Sequence, residues 1–77
     1  MKISGKIETK SGEPIQGSTA MVIDGPGSWV DMAAVTGQDG SFSVDVEVAG
    51  TYTLQIFKDG KSKTFQIKTG DEKTLVF

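Results

Sequence analysis

Three short phrases confine this chain to extended structure: Gly12-Glu13-Pro14-Ile15-Gln16-Gly17, Thr36-Gly37-Gln38-Asp39-Gly40-Ser41-Phe42 and Ala49-Gly50-Thr51-Tyr52-Thr53-Leu54. Each is rich in turn formers, glycine because it accepts positive φ and Asp because its carboxylate bonds nearby backbone, and each leads into alternating apolar and polar side chains. A chain punctuated in this way reverses direction at every phrase and runs straight between them. The consequence is an architecture built from short strands, with loops and edges left over for contact.

The alternation sets the strands. Met1, Ile3, Gly5 and Ile7 against Lys2, Ser4, Lys6 and Glu8 predict a strand over 1–8 buried on one face. Residues 16–24 form a second, with Ala20 and Val22 inward; because Thr19, Met21 and Ile23 face the other way, either both faces are covered or the register differs. Gly25-Pro26-Gly27-Ser28 is the strongest loop signal, since glycines flanking a proline cannot hold a ladder. Residues 29–36 are short and bounded by glycine, which favours strand over a helical turn. Phe42, Val44, Val46 and Val48 make the clearest half-buried strand, and Tyr52, Leu54 and Ile56 repeat its pattern. Asp59-Gly60 signals a two-residue hairpin into residues 61–68, with Phe65 and Ile67 inward. After Thr69-Gly70-Asp71-Glu72, residues 73–77 close as a last strand. The expected fold is all-β: a single domain over 1–77, seven strands arranged as an antiparallel sandwich or barrel.

Composition removes most chemistry. The chain of 77 residues has neither Cys nor His, so disulfides, thiolate nucleophiles, thiolate or imidazole metal sites and the commonest general base are all missing. Its net charge of -2 argues against sequence-independent attraction to nucleic acid. Lys61, Lys63 and Lys68 suggest a local basic stripe, against the simpler expectation that an edge strand carries lysines to block pairing. No apolar stretch is long enough for a signal peptide or a transmembrane helix, so no membrane insertion is expected. Met1 fits either an intracellular or virion-borne protein or a segment of a longer exported one.

Taken in order, Ile3-x-Gly5-x-Ile7, Gly12-x-Pro14-Ile15-x-Gly17-Ser18, Thr36-x-x-x-Gly40-x-Phe42 and Gly50-x-Tyr52-x-Leu54 resemble the carboxypeptidase regulatory-like domain, one of the transthyretin-like (prealbumin-like) sandwiches. Two positions depart from the family pattern: Gly37 replaces the acid usual after the Thr, and Ser18 the usual Ala. The resemblance implies a seven-stranded Greek-key sandwich that accompanies catalytic or adhesive domains in exported proteins and has no catalytic residues of its own. The chain is more distantly similar to Cna-B-like adhesin repeats, which share the Gly-x-Tyr phrase; some of those form an internal Lys–Asn or Lys–Asp isopeptide bond. This chain has no Asn, and Thr53-Leu54-Gln55-Ile56-Phe57 carries no carboxylate, so no isopeptide bond is expected.

The remaining candidates are few. Asp24 and Asp59 could share one pole of the sandwich as calcium ligands, but a site needs about six to eight oxygens and turn formation explains isolated Asp better. Asp31 and Asp45 as a hydrolytic pair are rejected, because a chain this small lacks a cleft that excludes water. Trp29 beside the glycine loop suits either a docking site or a core ring. Phe57 is out of phase with the inward residues and is expected on the surface, whereas Phe77 is expected in the core. The expected interaction surface is therefore Gly25, Pro26, Gly27, Ser28, Trp29 and Phe57. The expected role is a non-catalytic accessory or interaction domain, without a cofactor, that meets a protein partner or a neighbouring domain within a larger exported or surface protein. Two alternatives stay open: a small carbohydrate-binding module using Trp29 with Asp31, and a stand-alone structural protein of a virion or secretion machinery.

Overall fold

The computed structural model describes residues 1–27 and 33–77. Seven strands form in chain order: β1 (Lys2–Glu8), β2 (Thr19–Asp24), β3 (Ala33–Val35), β4 (Ser41–Asp45), β5 (Thr51–Lys58), β6 (Lys61–Lys68) and β7 (Glu72–Val76). They make a three-stranded sheet of order β4-β1-β7 and a four-stranded sheet of order β3-β2-β5-β6. The facing surfaces enclose one core, which includes Ile3 and Ile7 from β1, Ala20 and Val22 from β2, Phe42 and Val44 from β4, and Tyr52, Leu54 and Ile56 from β5. Ile67 of β6, Leu75 of β7 and, from outside the strands, Ile15 and Val46 complete it. This is the expected all-β sandwich.

Among the described residues all ladders are antiparallel except one. β1 and β7 run parallel, with Gly5 opposite Lys73 and Ile7 opposite Leu75. The chain reaches β7 from β6, which belongs to the other sheet, so no hairpin forces the last two partners into opposite directions. At the centre of this sheet a Cβ on Gly5 would lie 2.6 Å from the Lys73 carbonyl oxygen and 3.3 Å from the Phe42 ring. Gly5 thus sits where backbone and ring approach too closely for any side chain.

Several boundaries move. β2 starts at Thr19 rather than at residue 16, because Ser18 is drawn to Thr36: Ser18 N–H donates to Thr36 Oγ1 (2.9 Å) and Thr36 N–H to Ser18 O (2.8 Å). Its register is the one with Ala20 and Val22 inward; Thr19 and Met21 are half-buried and Ile23 is exposed at a bulge before Asp24. Within the expected strand 29–36, Ala33–Val35 is extended, Thr36 begins the next loop, and Trp29, Val30, Asp31 and Met32 lie outside the described residues. Two residues expected inward are exposed. Met1 precedes β1, and Val48 follows the end of β4, where the chain crosses to the other sheet and the alternation no longer applies. Phe77 is half-buried against the core instead of within it.

The sandwich has two ends. At one, residues 25–27 leave β2, residues 46–50 join β4 to β5, and residues 69–71 join β6 to β7. At the other lie residues 9–18, residues 36–40, the Asp59-Gly60 hairpin and Phe77. We call these the loop end and the hairpin end.

Candidate functional site

Tyr52 organises the loop end. Its ring is buried, and its hydroxyl lies 2.6 Å from Val48 O and 3.0 Å from Pro26 O, so its one proton is shared between the loop that crosses from β4 to β5 and the segment that leaves β2. Gly25 (φ 155°) lies flat on the Tyr52 ring, where a Cβ would collide with ring carbons. A Cβ on Gly50 would come within 2.8 Å of Pro26. The Gly50-x-Tyr52 phrase is therefore a device for seating residues 25–27 on the core. Asp24 caps the same turn by accepting from Gly25 N–H (2.9 Å).

The six residues expected to share one surface do not all meet. Gly25, Pro26 and Gly27 stand at the loop end; Ser28 and Trp29 lie outside the described residues. Phe57 is near the other end of β5, opposite Thr19 of β2 and Ser62 of β6. Asp24 and Asp59 are likewise separated: Asp24 pairs with Thr53 at the start of β5, and Asp59 is the hairpin tip beyond its end. Their shared calcium pole is ruled out by this register. Among the described residues no group of three or more acidic side chains is placed to hold a metal ion. Asp45 is exposed, opposite Lys2. Lys61, Lys63 and Lys68 make no stripe, since Lys61 and Lys63 fall in phase with the inward residues and Lys68 lies on the outer side at the far end. Lys63 is held against the C-terminal residue: its Nζ donates to Phe77 O (2.5 Å) and stands 5.5 Å from the Phe77 ring centroid.

At the hairpin end, Asp39 holds the turn after Thr36. Its Oδ1 accepts from Ser41 Oγ (2.5 Å) and Ser41 N–H (3.1 Å), and these bonds, the hydroxyl's first, lower its pKa below the usual 3.8. The role is that of a turn brace. It explains why the Thr36-x-x-x-Gly40-x-Phe42 phrase contains an exposed acid.

Phe57 is part of a larger feature, the outer face of β3-β2-β5-β6. Val35, Thr19, Phe57 and Ser62 lie side by side across the four strands, and Ala33, Met21, Gln55 and Thr64 form the next row. Thr53 and Gln66 extend the face toward the loop end, where Asp24 and Lys68 are its described charges. Val35 is 66% exposed and Phe57 37%. A groove of about 350 Å³ beside Phe57 separates residues 16–19 from the hairpin. The individual residues were visible as the polar half of each alternation, but their lack of charge becomes a property only once four strands are aligned.

These observations meet one comparison. A model of the carboxypeptidase regulatory-like domain matches residues 2–77, the whole sandwich from β1 to Phe77. The chain belongs to that family. Members are non-catalytic, immunoglobulin-like sandwich domains of transthyretin type. No curated protein sequence matches this member. The family phrases have structural roles here: Gly50 and Tyr52 seat the loop end and Thr36 and Gly40 the hairpin end, while Gly17 and Ser18 line the groove beside Phe57. Gly37, the departure from the family acid, keeps its turn through the backbone, donating from N–H to Ser41 O (2.9 Å). Ser18, the second departure, is buried and bonds Thr36.

Proposed function

We propose that this regulatory-like domain is an accessory module of a larger exported or cell-surface protein, and that it docks on a neighbouring domain or protein partner through the outer face of β3-β2-β5-β6. The observation that carries the reading is the composition of that face. Solvent-facing strand positions commonly alternate to charged side chains, yet here the middle of a four-stranded sheet offers Val35, Met21, Phe57, Thr and Gln. Aromatic and aliphatic side chains ringed by uncharged polar groups lose little on desolvation and release water from apolar surface. Phe57, central in its row and beside a groove, is the natural anchor. The exported setting is part of the proposal and is supported by the settings in which such domains are expected.

Site-specific photo-crosslinking in the native host tests this. A crosslinker replacing Phe57 or Thr64 should capture a discrete adduct, while one replacing Lys6 or Ser43 on the opposite outer face should not. Equal yields from both faces, or none from Phe57 and Thr64, would remove the proposal.

A further inference from the structure

The hairpin that borders Phe57 has a second groove on its other side, of about 630 Å³, lined by Lys10, Lys58, Asp59, Lys61, Ser62, Lys63 and Phe77. Four of the chain's eight basic residues thus gather at one corner of a protein whose net charge is -2, with Asp59 the acid among them. They come from three places: Lys10 from the loop after β1, Lys58 from the end of β5, and Lys61 and Lys63 from the start of β6. Charges of one sign brought together around a concave, partly apolar floor concentrate their field there, whatever the sign of the whole molecule.

The groove also borders an open strand edge. Asp59 (φ 50°) and Gly60 (φ 78°) form a two-residue turn with positive φ at both central positions, closed by the Lys58–Lys61 pair. In such a hairpin the closing pair exchanges both backbone bonds, so the N–H and C=O groups of Ser62, Thr64 and Gln66 turn away from β5. Lys73 Nζ reaches Gln66 O at 3.4 Å from the other sheet, which agrees with that parity. Lys73 and Lys63 thus bind across the seam between β6 and β7, at Gln66 O and at Phe77 O respectively. Between them, among the described residues, no strand pairs with the edge at Ser62 and Thr64, next to the lysines.

We propose that this corner binds an extended acidic polypeptide segment, which adds to the β6 edge at Ser62 and Thr64 while its carboxylates meet Lys10, Lys58 and Lys61 and its apolar side chains rest on Phe77. A polypeptide fits better than a sulphated or phosphorylated polymer, because only it supplies N–H and C=O groups in register with a strand edge. Lys63 has a part in both states, holding Phe77 beneath the groove. The site adjoins the uncharged face at Ser62 and Thr64 but uses their backbone edge and the lysines, and it does not depend on docking on that face.

The test uses the full chain and a fluorescein-labelled peptide of about ten residues in which Glu and Val alternate, matched to the two-residue period of a strand. Anisotropy should show binding that weakens steeply as salt rises to about 0.15 M. The double variant K58E/K61E should lose about tenfold or more in affinity, and K2E/K6E on the other sheet about twofold or less. Circular dichroism on both variants checks that they fold, and the milder pair K58Q/K61Q, which only removes charge, should fall between them. The amide resonances of Ser62 and Thr64 should shift and gain protection from exchange on binding. No binding, equal loss for both double variants, or tighter binding of heparin or polyphosphate without change at the Ser62 and Thr64 amides would overturn the proposal.

Discussion

The two outer faces of the sandwich are made by the same rule and come out opposite. On β4-β1-β7, Lys2 stands across from Asp45, and Ser4 between Ser43 and Glu72, with Lys6 and Glu8 farther along. On β3-β2-β5-β6 the two rows nearer the hairpin end carry Val, Thr, Phe, Ser, Ala, Met and Gln, and the charges Asp24 and Lys68 stand only toward the loop end. Both faces lie over the same core and satisfy the same alternation, so stability does not explain the difference. A charged face is held in water by solvation, whereas an uncharged one can be covered at little cost. Contrast between equivalent surfaces of one molecule is a better guide to docking than the exposure of any single residue.

The sharpest way to test this symmetry of core against asymmetry of surface is at Gly5. Gly5→Ala should cost about 2 kcal/mol in urea unfolding, because the new methyl meets the Lys73 carbonyl and the Phe42 ring at the tight centre of the charged sheet. Thr53→Ala, on the outer face of the four-stranded sheet beside Asp24, should stay within about 0.5 kcal/mol of the parent. If both variants cost the same, the two sheets are not packed as described. Next in size is Tyr52→Phe, expected to lose about 1 kcal/mol by removing the donor shared by Val48 O and Pro26 O. Amide exchange should quicken at residues 25–27 and 46–50 and not at the hairpin end.

The faces themselves are separated by a gentler pair of changes. Val35→Lys with Phe57→Lys should leave stability within about 1 kcal/mol yet shorten retention on a hydrophobic-interaction column. Lys6→Gln should not shorten it. A parent protein that is already unretained would show that the uncharged face is not apolar enough to dock. The smallest effect belongs to Asp39. Its carboxylate is stabilised in the folded state by Ser41, so its folded pKa lies below the unfolded one; the benefit is present above the unfolded value near 3.8 and vanishes as acid carries the protein through the folded pKa. Asp39→Ala should therefore lower Tm slightly at pH 7, and the gap should close as pH falls below the carboxylate range.

Most of the fold was legible because turn chemistry and alternation are local. Asp59-Gly60, the run Phe42-x-Val44-x-Val46, and Tyr52, Leu54 and Ile56 each carry their conformation in neighbouring residues, and the strands formed where those signals stand. Val48 misled because alternation says which side a residue takes but not where the strand ends; the end was set by the crossing to Tyr52, whose hydroxyl takes the Val48 carbonyl. The candidate surface was legible in part. Phe57 was identified by phase, but its separation from Gly25 depends on the direction of β5 relative to β2, which no local pattern encodes.

The amino-acid order alone determined that this chain is β throughout, that it turns at its glycine phrases, that it belongs with the regulatory-like sandwiches, and that cysteine and histidine chemistry is closed to it. The tertiary structure decided which strands became neighbours: β1 beside β7 in parallel, β2 between β3 and β5, Lys10 beside the hairpin lysines. The physical reason is range. Turn preference and side-chain phase act over a few residues, while pairing and the gathering of like charges depend on how distant segments close around a shared core.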